Sequence, residues 1–237
     1  VGPPLRSRDS SLLVQLPIPE PGAGKIRIRV QAQALGFVDG LIVQGRYQLK
    51  PTLPYIPGGE IAGVVDAIGP GAESLKQGQR VVTWQLGGGL AEYAVVNLSE
   101  VDVLQDDISA AVAASMLVDY QTAHHALFEV AAVRAGDSVL VLGAAGGVGS
   151  AAVQMAARAG AYVIAAASTA EKRSAALLLG AHDTVDYTLP DWRAELKAKA
   201  PSWMVNVFVN RIGGSMLEPA FRSLGKDHIR ADQLEKL

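Results

Sequence analysis

The sequence predicts an α/β protein of two parts, a set of short antiparallel strands followed by a parallel sheet with helices. Three observations support this fold class. Turn-bounded apolar runs fill the first half, alanine-rich helical patterns begin near residue 108, and strands alternate with helices after residue 138. Short runs at such spacing favour a small barrel or sandwich, and strand–helix alternation favours βαβ units.

The first half is predicted to be β-structure because its apolar residues recur with a period of two. Ile26, Ile28 and Val30 share one face of a run from residue 25 to 35, and polar residues alternate with them. This is the pattern of a half-buried strand. Further strands are predicted between glycine and proline turns at Ile61–Ile68, Arg80–Trp84 and Leu90–Val96.

The second half is predicted to be a doubly wound parallel sheet. Two helices, Ile108–Leu117 and Thr122–Val130, lead into an alternating series of strands and helices. The predicted strands are Ser138–Leu142, Tyr162–Ala166, Thr184–Tyr187 and Met204–Val209, and the helices are Gly149–Arg158, Ala170–Leu179 and Asp191–Ala198. We expect domains at residues 1–120 and 121–225 and a polar helical tail without a strand at 226–237. Because a complete sheet of this kind has about six strands and four are predicted, the second domain is expected to be truncated. The first domain is also expected to be incomplete, because the sequence begins at Val1 rather than at Met.

Composition excludes several classes of protein. The 237 residues are 49% hydrophobic and 19% charged, which is incompatible with intrinsic disorder. The net charge is −2, without a basic run, and the apolar runs are shorter than the roughly 20 residues of a membrane span. The chain has no cysteine, so it has no disulfides and no cysteine-ligated zinc. We expect a cytoplasmic protein without a nucleic-acid or membrane partner.

A glycine-rich segment gives the strongest functional signal. The apolar run Val139–Leu142 leads into a loop, and a helical pattern follows directly; the candidate binding residues are Ala145, Gly146, Gly147, Val148 and Gly149. Small residues let a backbone approach a pyrophosphate, and the helix amino end supplies N–H groups and a positive dipole end. An ordinary tight turn is the alternative, but the strand–loop–helix context favours dinucleotide binding.

The cofactor is predicted to be NADPH. An acidic residue about 20 positions beyond the first glycine would bind the ribose 2′-hydroxyl of NAD, and the segment from 164 to 168 has none. Ser168, Lys172 and Arg173 could instead bind a 2′-phosphate. In the alternative interpretation, Ser168–Glu171 is a capping box and Lys172 lies on a solvated surface.

Segments along most of the chain resemble one family in order and spacing. They are 35–39 (LGFVD), 44–47 (QGRY), 54–65 (PYIPGGEIAGVV), 78–81 (GQRV), 89–93 (GLAEY), 121–123 (QTA), 144–149 (AAGGVG), 171–172 (EK), 179–181 (LGA) and 212–214 (IGG). Together they resemble the zinc-free quinone oxidoreductase branch of the medium-chain dehydrogenase/reductases, which includes zeta-crystallin and enoyl-thioester reductases.

The resemblance implies a GroES-like β-barrel domain followed by a Rossmann domain. It also implies a homodimer that uses NADPH to reduce a small molecule, either a quinone or the activated C=C bond of an enone or enoyl thioester. No metal is expected, because Gly36 and Gly59 stand where zinc-dependent relatives have cysteine and histidine ligands. His124 and His125 are expected to point in different directions on a helix, which makes them poor joint ligands.

The resemblance also assigns individual residues. Tyr47 is similar in position to a proton-donating tyrosine, Thr122 to a threonine near the nicotinamide, and Tyr187 to a tyrosine beside the 2′-phosphate. Asn210 is expected near the cofactor. Ordinary packing at a loop edge is the alternative for Tyr47, and covering the end of the sheet is the alternative for Tyr187.

Departures from the family pattern keep a second function open. Gly36 replaces an asparagine, Asn206 and Asn210 replace aspartates, and Arg211 adds bulk near the expected cofactor. The alternative is a non-catalytic NADP(H)-binding protein that acts as a sensor, a structural protein or an RNA-associated protein. A hydrolase is poorly supported, because the sequence has no Gly-x-Ser-x-Gly motif.

Overall fold

The computed structural model describes residues 13–201, 206–210, 214–224 and 230–232. The chain divides into two compact units between Val118 and Asp119. Within the described residues, no helix combines the length and apolar character that a membrane span requires.

The first unit contains a five-stranded antiparallel sheet. Its strands are β1 (Lys25–Ala34), β2 (Glu60–Ile68), β3 (Arg80–Trp84), β4 (Tyr93–Asn97) and β5 (Val101–Val103), in the order β4-β1-β2-β3-β5. The predicted apolar face of β1 is confirmed, since Ile26 and Ile28 are fully buried against the core of this sheet. The predicted strand at 90–96 is shorter in the structure, because β4 begins only at Tyr93.

Two short helices belong to the first unit, α1 (Phe37–Val43) and α2 (Ala110–Ala114). The predicted helix at 108–117 is interrupted, because α2 ends at Ala114 and the next helix, α3, begins at Leu117 and continues to His124. The predicted helix at 122–130 also differs. Residues His125–Val130 form a wider π-helical turn that continues α3.

The second unit is built on a parallel sheet of five strands. They are β6 (Ser138–Leu142), β7 (Tyr162–Ala166), β8 (Asp183–Val185), β9 (Val207–Asn210) and β10 (Arg230–Asp232), in the order β10-β9-β6-β7-β8. The helices that follow α3 are α4 (Gly147–Arg158), α5 (Ala170–Leu178), α6 (Trp192–Lys199) and α7 (Leu217–Phe221).

Side chains of β6 alternate between two cores, one on each face of the sheet. Val139 and Val141 pack with residues of α4, whereas Leu140 and Leu142 pack with Trp192 and other residues of the opposite face. A strand buried on both faces is apolar throughout. This arrangement confirms the predicted doubly wound sheet.

The prediction of a tail without a strand after residue 225 is wrong. Residues Arg230–Asp232 form β10, which pairs in parallel with Val207–Val209 of β9. Because two of its three residues are charged, the strand has no apolar pattern, and its position is set by backbone pairing at a sheet edge. The start of the predicted strand at Met204 lies outside the described residues.

Candidate functional site

A glycine-rich loop joins β6 to α4 at the carboxyl edge of the parallel sheet. Gly143 has a φ of +73°, in the left-handed region that favours glycine. The N–H groups of Gly143 and Ala144 donate to the carbonyl oxygen of Ala166 at 3.0 and 3.3 Å. The loop is thereby attached to the end of β7, and a hydrogen bond of 2.9 Å from Gly146 N–H to the Gly143 carbonyl oxygen closes its turn.

The amino end of α4 begins with glycine backbone. Gly146 is the N-cap residue and has no side chain with which to cap the helix, and the first turn contains no acidic residue. Gly146 and Gly147 are exposed, whereas Val148 and Gly149 are buried. Exposed N–H groups at the positive end of a helix dipole form a favourable place for phosphate.

Gly149 allows α4 to lie directly on the loop. A Cβ atom at this position would overlap the carbonyl oxygen of Gly143 and lie 3.0 Å from Cα of Ala144. Any larger residue would therefore push the helix away from the loop. The close approach, the left-handed Gly143 and the exposed glycines at the amino end of α4 together fit the pyrophosphate of a dinucleotide.

Asn210 lies beside this loop because of the order of the strands. β6 has β7 on one side and β9 on the other, so the sheet reverses its direction of winding there. In such sheets ligands bind in the crevice at the carboxyl ends of the strands at the reversal. Asn210 ends β9, pairs in register with Leu142 and is 2% exposed. Arg211 lies outside the described residues.

Asn206 has a structural contact at the opposite end of the sheet. Its side-chain Oδ1 accepts a hydrogen bond of 2.7 Å from the N–H of Ser138, the first residue of β6. This departure from the family pattern therefore connects the beginning of β9 to β6.

Helix α3 brings Asp119 and Thr122 to the glycine-rich loop. The Asp119 carboxylate lies against Gly147, since a Cβ atom there would overlap Oδ2 and lie 2.7 Å from Oδ1. Thr122 is half-buried and follows Asp119 by three residues, so both lie on the same side of α3. The structure thus places Thr122 one helical turn from a residue that touches the loop.

The amino end of α5, just after β7, is capped by a different residue from the one in the capping-box interpretation. Thr169 is the N-cap of α5, and its Oγ1 accepts a hydrogen bond of 3.3 Å from the N–H of Lys172. The cap is therefore one residue later than the predicted Ser168. Ser168 is half-buried just after β7, and the side chain of Lys172 is exposed.

Arg173 already has an acidic partner. Its Nη1 lies 2.7 Å from Oδ2 of Asp186 and donates to the carbonyl oxygen of Ala167 at 3.0 Å. Asp186 follows the end of β8. The guanidinium is thus neutralised within the protein, which sets it apart from Lys172 as a candidate phosphate ligand.

Tyr187 lies two residues beyond the end of β8. Its half-buried ring packs against the apolar core that contains Leu140, Leu142 and Trp192. The ring therefore covers part of the sheet, as the alternative interpretation expects. Its position at the carboxyl edge also places it among the strand ends that form a ligand crevice in this fold.

The first unit contains Tyr47, in the loop that follows α1. The helix ends at Val43. Gly45 in the following loop has a φ of +66°, which suits glycine, and Tyr47 is half-buried two residues later. The tyrosine therefore belongs to a different unit from the glycine-rich loop.

Asp39 connects the two segments in which zinc-dependent relatives have metal ligands. Its Oδ2 accepts a hydrogen bond of 2.8 Å from Gly36 N–H, and its Oδ1 accepts one of 2.9 Å from Gly58 N–H. A Cβ atom at Gly59 would lie 2.5 Å from the carbonyl oxygen of Gln85. This backbone arrangement leaves no space for a histidine at position 59.

The prediction that His124 and His125 point in different directions is wrong. Both rings direct Nδ1 toward the carboxylate of Glu129, at 3.6 and 2.8 Å. The wide π-helical turn brings the two consecutive rings to one acidic side chain, and the nearer ring lowers the pKa of Glu129 by hydrogen bonding. In the part of the chain that the structure describes, no cluster of three or more His, Asp or Glu residues is suited to holding a metal ion.

Asp119, Asp39 and Glu60 were not among the predicted site residues. Glu60 is buried, and its Oε1 accepts a hydrogen bond of 2.9 Å from Val118 N–H. The available signal for all three was an acidic side chain next to a glycine motif or an apolar run. That signal does not by itself tell which backbone group a carboxylate contacts.

Comparison with protein-family models divides the chain in the same order as the fold. Residues 22–106 match the alcohol dehydrogenase GroES-like domain, and residues 147–227 match the zinc-binding dehydrogenase domain. The first match covers all five strands of the antiparallel sheet, β1 to β5. The second begins at the first residue of α4.

Proteins similar to this chain include oxidoreductases. The chain is 41% identical to human quinone oxidoreductase over 151 residues, which are 63% of this chain and 46% of the relative. It superposes on an NAD-dependent alcohol dehydrogenase with a TM-score of 0.84 and 32% identity, over 90% of this chain and 70% of that one.

A further solved structure is the Escherichia coli quinone oxidoreductase complexed with NADPH. It has a TM-score of 0.84 and 29% identity, over 90% of this chain and 65% of that one. The chain spans about half the length of the curated relatives that it matches. The fold, the loop geometry and these similarities show that the chain belongs to the medium-chain dehydrogenase/reductase family, in its zeta-crystallin-like quinone oxidoreductase branch.

Proposed function

We propose that the chain belongs to an NADPH-dependent oxidoreductase that reduces a quinone or the activated C=C bond of an enone or enoyl thioester. The observation that carries the proposal is the β6–loop–α4 unit at the reversal of the sheet, in which the backbone geometry of Gly143, Gly146 and Gly149 fits a phosphate group. Similarity to quinone oxidoreductases, one of them complexed with NADPH, supports the choice of reaction.

The cofactor would be held at the carboxyl edge of the parallel sheet. The segment from Ala145 to Gly149 would bind the pyrophosphate, with Asn210 at the adjacent strand end. Ser168, Lys172 and Tyr187 would bind the 2′-phosphate. Exposed Lys172 supplies the positive charge, since the charge of Arg173 is matched by Asp186.

Bound NADPH supplies a hydride, and the protein has to supply a proton and stabilise charge on the substrate oxygen. Tyr47 is the proposed proton donor, and water is the alternative. Thr122 is the proposed positioning residue on the nicotinamide side, because α3 contacts the glycine-rich loop through Asp119. Hydride transfer from NADPH needs no zinc, and Gly36 and Gly59 have no side-chain atoms that could bind a metal ion.

Titration of the purified chain with NADPH and NADH tests the nucleotide site. We expect NADPH to bind more tightly than NADH and to raise the melting temperature. Loss of NADPH absorbance with 9,10-phenanthrenequinone or crotonyl-CoA then tests the reaction. Turnover supports the oxidoreductase, whereas binding without turnover supports the non-catalytic sensor or structural protein. Absence of binding contradicts both.

Tyr47→Phe tests the proton donor. Removing a general acid costs about 100-fold or more in rate when water does not replace it. Tyr162→Phe is the matched control, because Tyr162 stacks on His182 with ring centroids 4.8 Å apart and phenylalanine keeps the ring. Equal rates for wild type and both variants would contradict the role of Tyr47. The homodimer stays a prediction, which sedimentation analysis would test.

A further inference from the structure

Asp119 places a carboxylate at the amino end of α4, where the proposed function requires two phosphates. Both carboxylate oxygens lie close to Gly147, the first residue of that helix, so that a Cβ atom there would overlap Oδ2 and lie 2.7 Å from Oδ1. Asp119 comes from a different helix, α3, and is half-buried. The contact therefore belongs to the tertiary structure and is not a local cap.

This carboxylate has opposite effects on the empty and the occupied site. Without a ligand, a negative charge near the amino end of a helix is stabilised by the helix dipole. With a pyrophosphate bound, the carboxylate lies near further negative charges in a partly buried place, where screening by water is reduced. The first turn of α4 contributes no acidic residue of its own, and the Asp119 carboxylate that lies against it comes from α3.

We propose that Asp119 is an affinity-determining residue, a fixed anion that weakens dinucleotide binding by repelling the pyrophosphate and thereby favours release. The inference rests on the proposed function, because it requires a dinucleotide at this loop. It predicts that removal of the charge, with the shape of the side chain retained, tightens binding.

Asp119→Asn tests this inference through binding rather than turnover. We expect the Kd for NADPH to fall by about three- to tenfold, with a similar fall for ADP, and the difference to shrink at high ionic strength. The melting temperature of the unliganded variant should fall slightly, because the favourable dipole interaction is lost. Asp119→Ser is a second variant, in case the asparagine does not pack.

Asp137→Asn is the matched control for net charge. Asp137 precedes β6 at the opposite end of the strand from the loop, and its Oδ2 accepts a hydrogen bond from Arg134 N–H that an asparagine oxygen can retain. This variant should bind NADPH as wild type does.

The outcomes separate the inference from the proposed function. If wild type binds NADPH and both Asp119 variants bind it equally or more weakly, the inference is overturned, since Asp119 then acts as a hydrogen-bond acceptor or a structural residue. If Asp119→Asn binds more tightly and the control does not, the inference is supported. If no variant binds NADPH, the proposed function itself fails and the inference with it.

Discussion

Arg173 and Asp186 form an ion pair at the carboxyl edge of the parallel sheet, with Nη1 2.7 Å from Oδ2. The same Nη1 also donates to the carbonyl oxygen of Ala167, and the other carboxylate oxygen accepts hydrogen bonds from Thr188 N–H and Oγ1 at 2.9 and 2.6 Å. The pair therefore connects the ends of β7 and β8 to the start of α5. Arg173 thus has a structural partner at the edge where a 2′-phosphate is proposed to bind.

Lys172 and Arg173 should respond differently to replacement by alanine. Lys172→Ala should weaken NADPH binding about tenfold and leave NADH binding unchanged, because the exposed ammonium faces no partner that the described residues supply. Arg173→Ala should lower the melting temperature of the unliganded chain, because Asp186 and Ala167 lose a donor. Titration with both nucleotides and thermal unfolding measure the two effects. A selective loss of NADPH affinity in Arg173→Ala alone would reverse the assignment.

Asp186 should make stability depend on pH in acid. The pKa of Asp186 is lowered in the folded state. The largest cause is a hydrogen bond from the Thr188 hydroxyl, followed by one from Thr188 N–H, and the charge of Arg173 adds to the effect. A lowered folded pKa means that the stabilisation is complete above the ordinary carboxyl pKa and is lost as pH falls through the folded value. Urea unfolding should therefore show Asp186→Asn less stable than wild type at neutral pH. The difference in free energy of unfolding between wild type and Asp186→Asn should become smaller in acid. A difference that does not change with pH would contradict the ionic contribution of Asp186.

Most strands were predictable because their signals are local. Ser138–Leu142 and Tyr162–Ala166 agree with the predicted bounds, since continuous apolar runs between turn residues define a strand buried on both faces. The edge strand β10 has no such run, and its pairing with β9 depends on the fold. The apolar pattern at 125–130 does not distinguish the π-helical turn of the structure from an α-helix.

The part of the candidate site that consists of backbone groups could be predicted from the sequence. The glycine positions of the loop follow from sequence, because only small residues tolerate the close approach at Gly149. The partners of charged side chains do not follow from it. The sequence predicts Arg173 as a phosphate ligand, whereas in the structure Arg173 forms an ion pair with Asp186. No sequence pattern indicates that Asp119 contacts Gly147. Contacts between side chains distant in sequence need the fold.

Two glycines of the loop should tolerate alanine differently. Gly149→Ala should cost about 1–3 kcal/mol, because its Cβ would overlap the carbonyl oxygen of Gly143 in a packed region. Gly146→Ala should fold normally, since its nearest neighbour would be that same oxygen at 3.4 Å and the residue is exposed. Its methyl group should nevertheless hinder phosphate approach and raise the Kd for NADPH. Equal stability of the two variants in urea would contradict the close-packing role.

Tyr55 has a buried hydroxyl for which the described residues supply no hydrogen-bond partner. Burial of the phenol raises its pKa, and the negative charge of Asp39 adds to this effect. A buried polar group without a partner costs free energy on folding, whereas a satisfied one contributes about 1 kcal/mol. Thr83 in the same unit provides the contrast, since its buried hydroxyl donates to the Glu100 carbonyl oxygen at 2.6 Å.

Replacement of each hydroxyl should therefore change stability in a different direction. Tyr55→Phe should leave the free energy of unfolding unchanged or raise it by up to about 1 kcal/mol, because desolvation of the phenol is no longer required. Thr83→Val should lower it by about 1 kcal/mol, because the hydrogen bond to Glu100 is lost without a change in side-chain shape. Urea unfolding of the intact chain measures both. If Tyr55→Phe lowers the free energy of unfolding as much as Thr83→Val does, the phenol forms a hydrogen bond in solution.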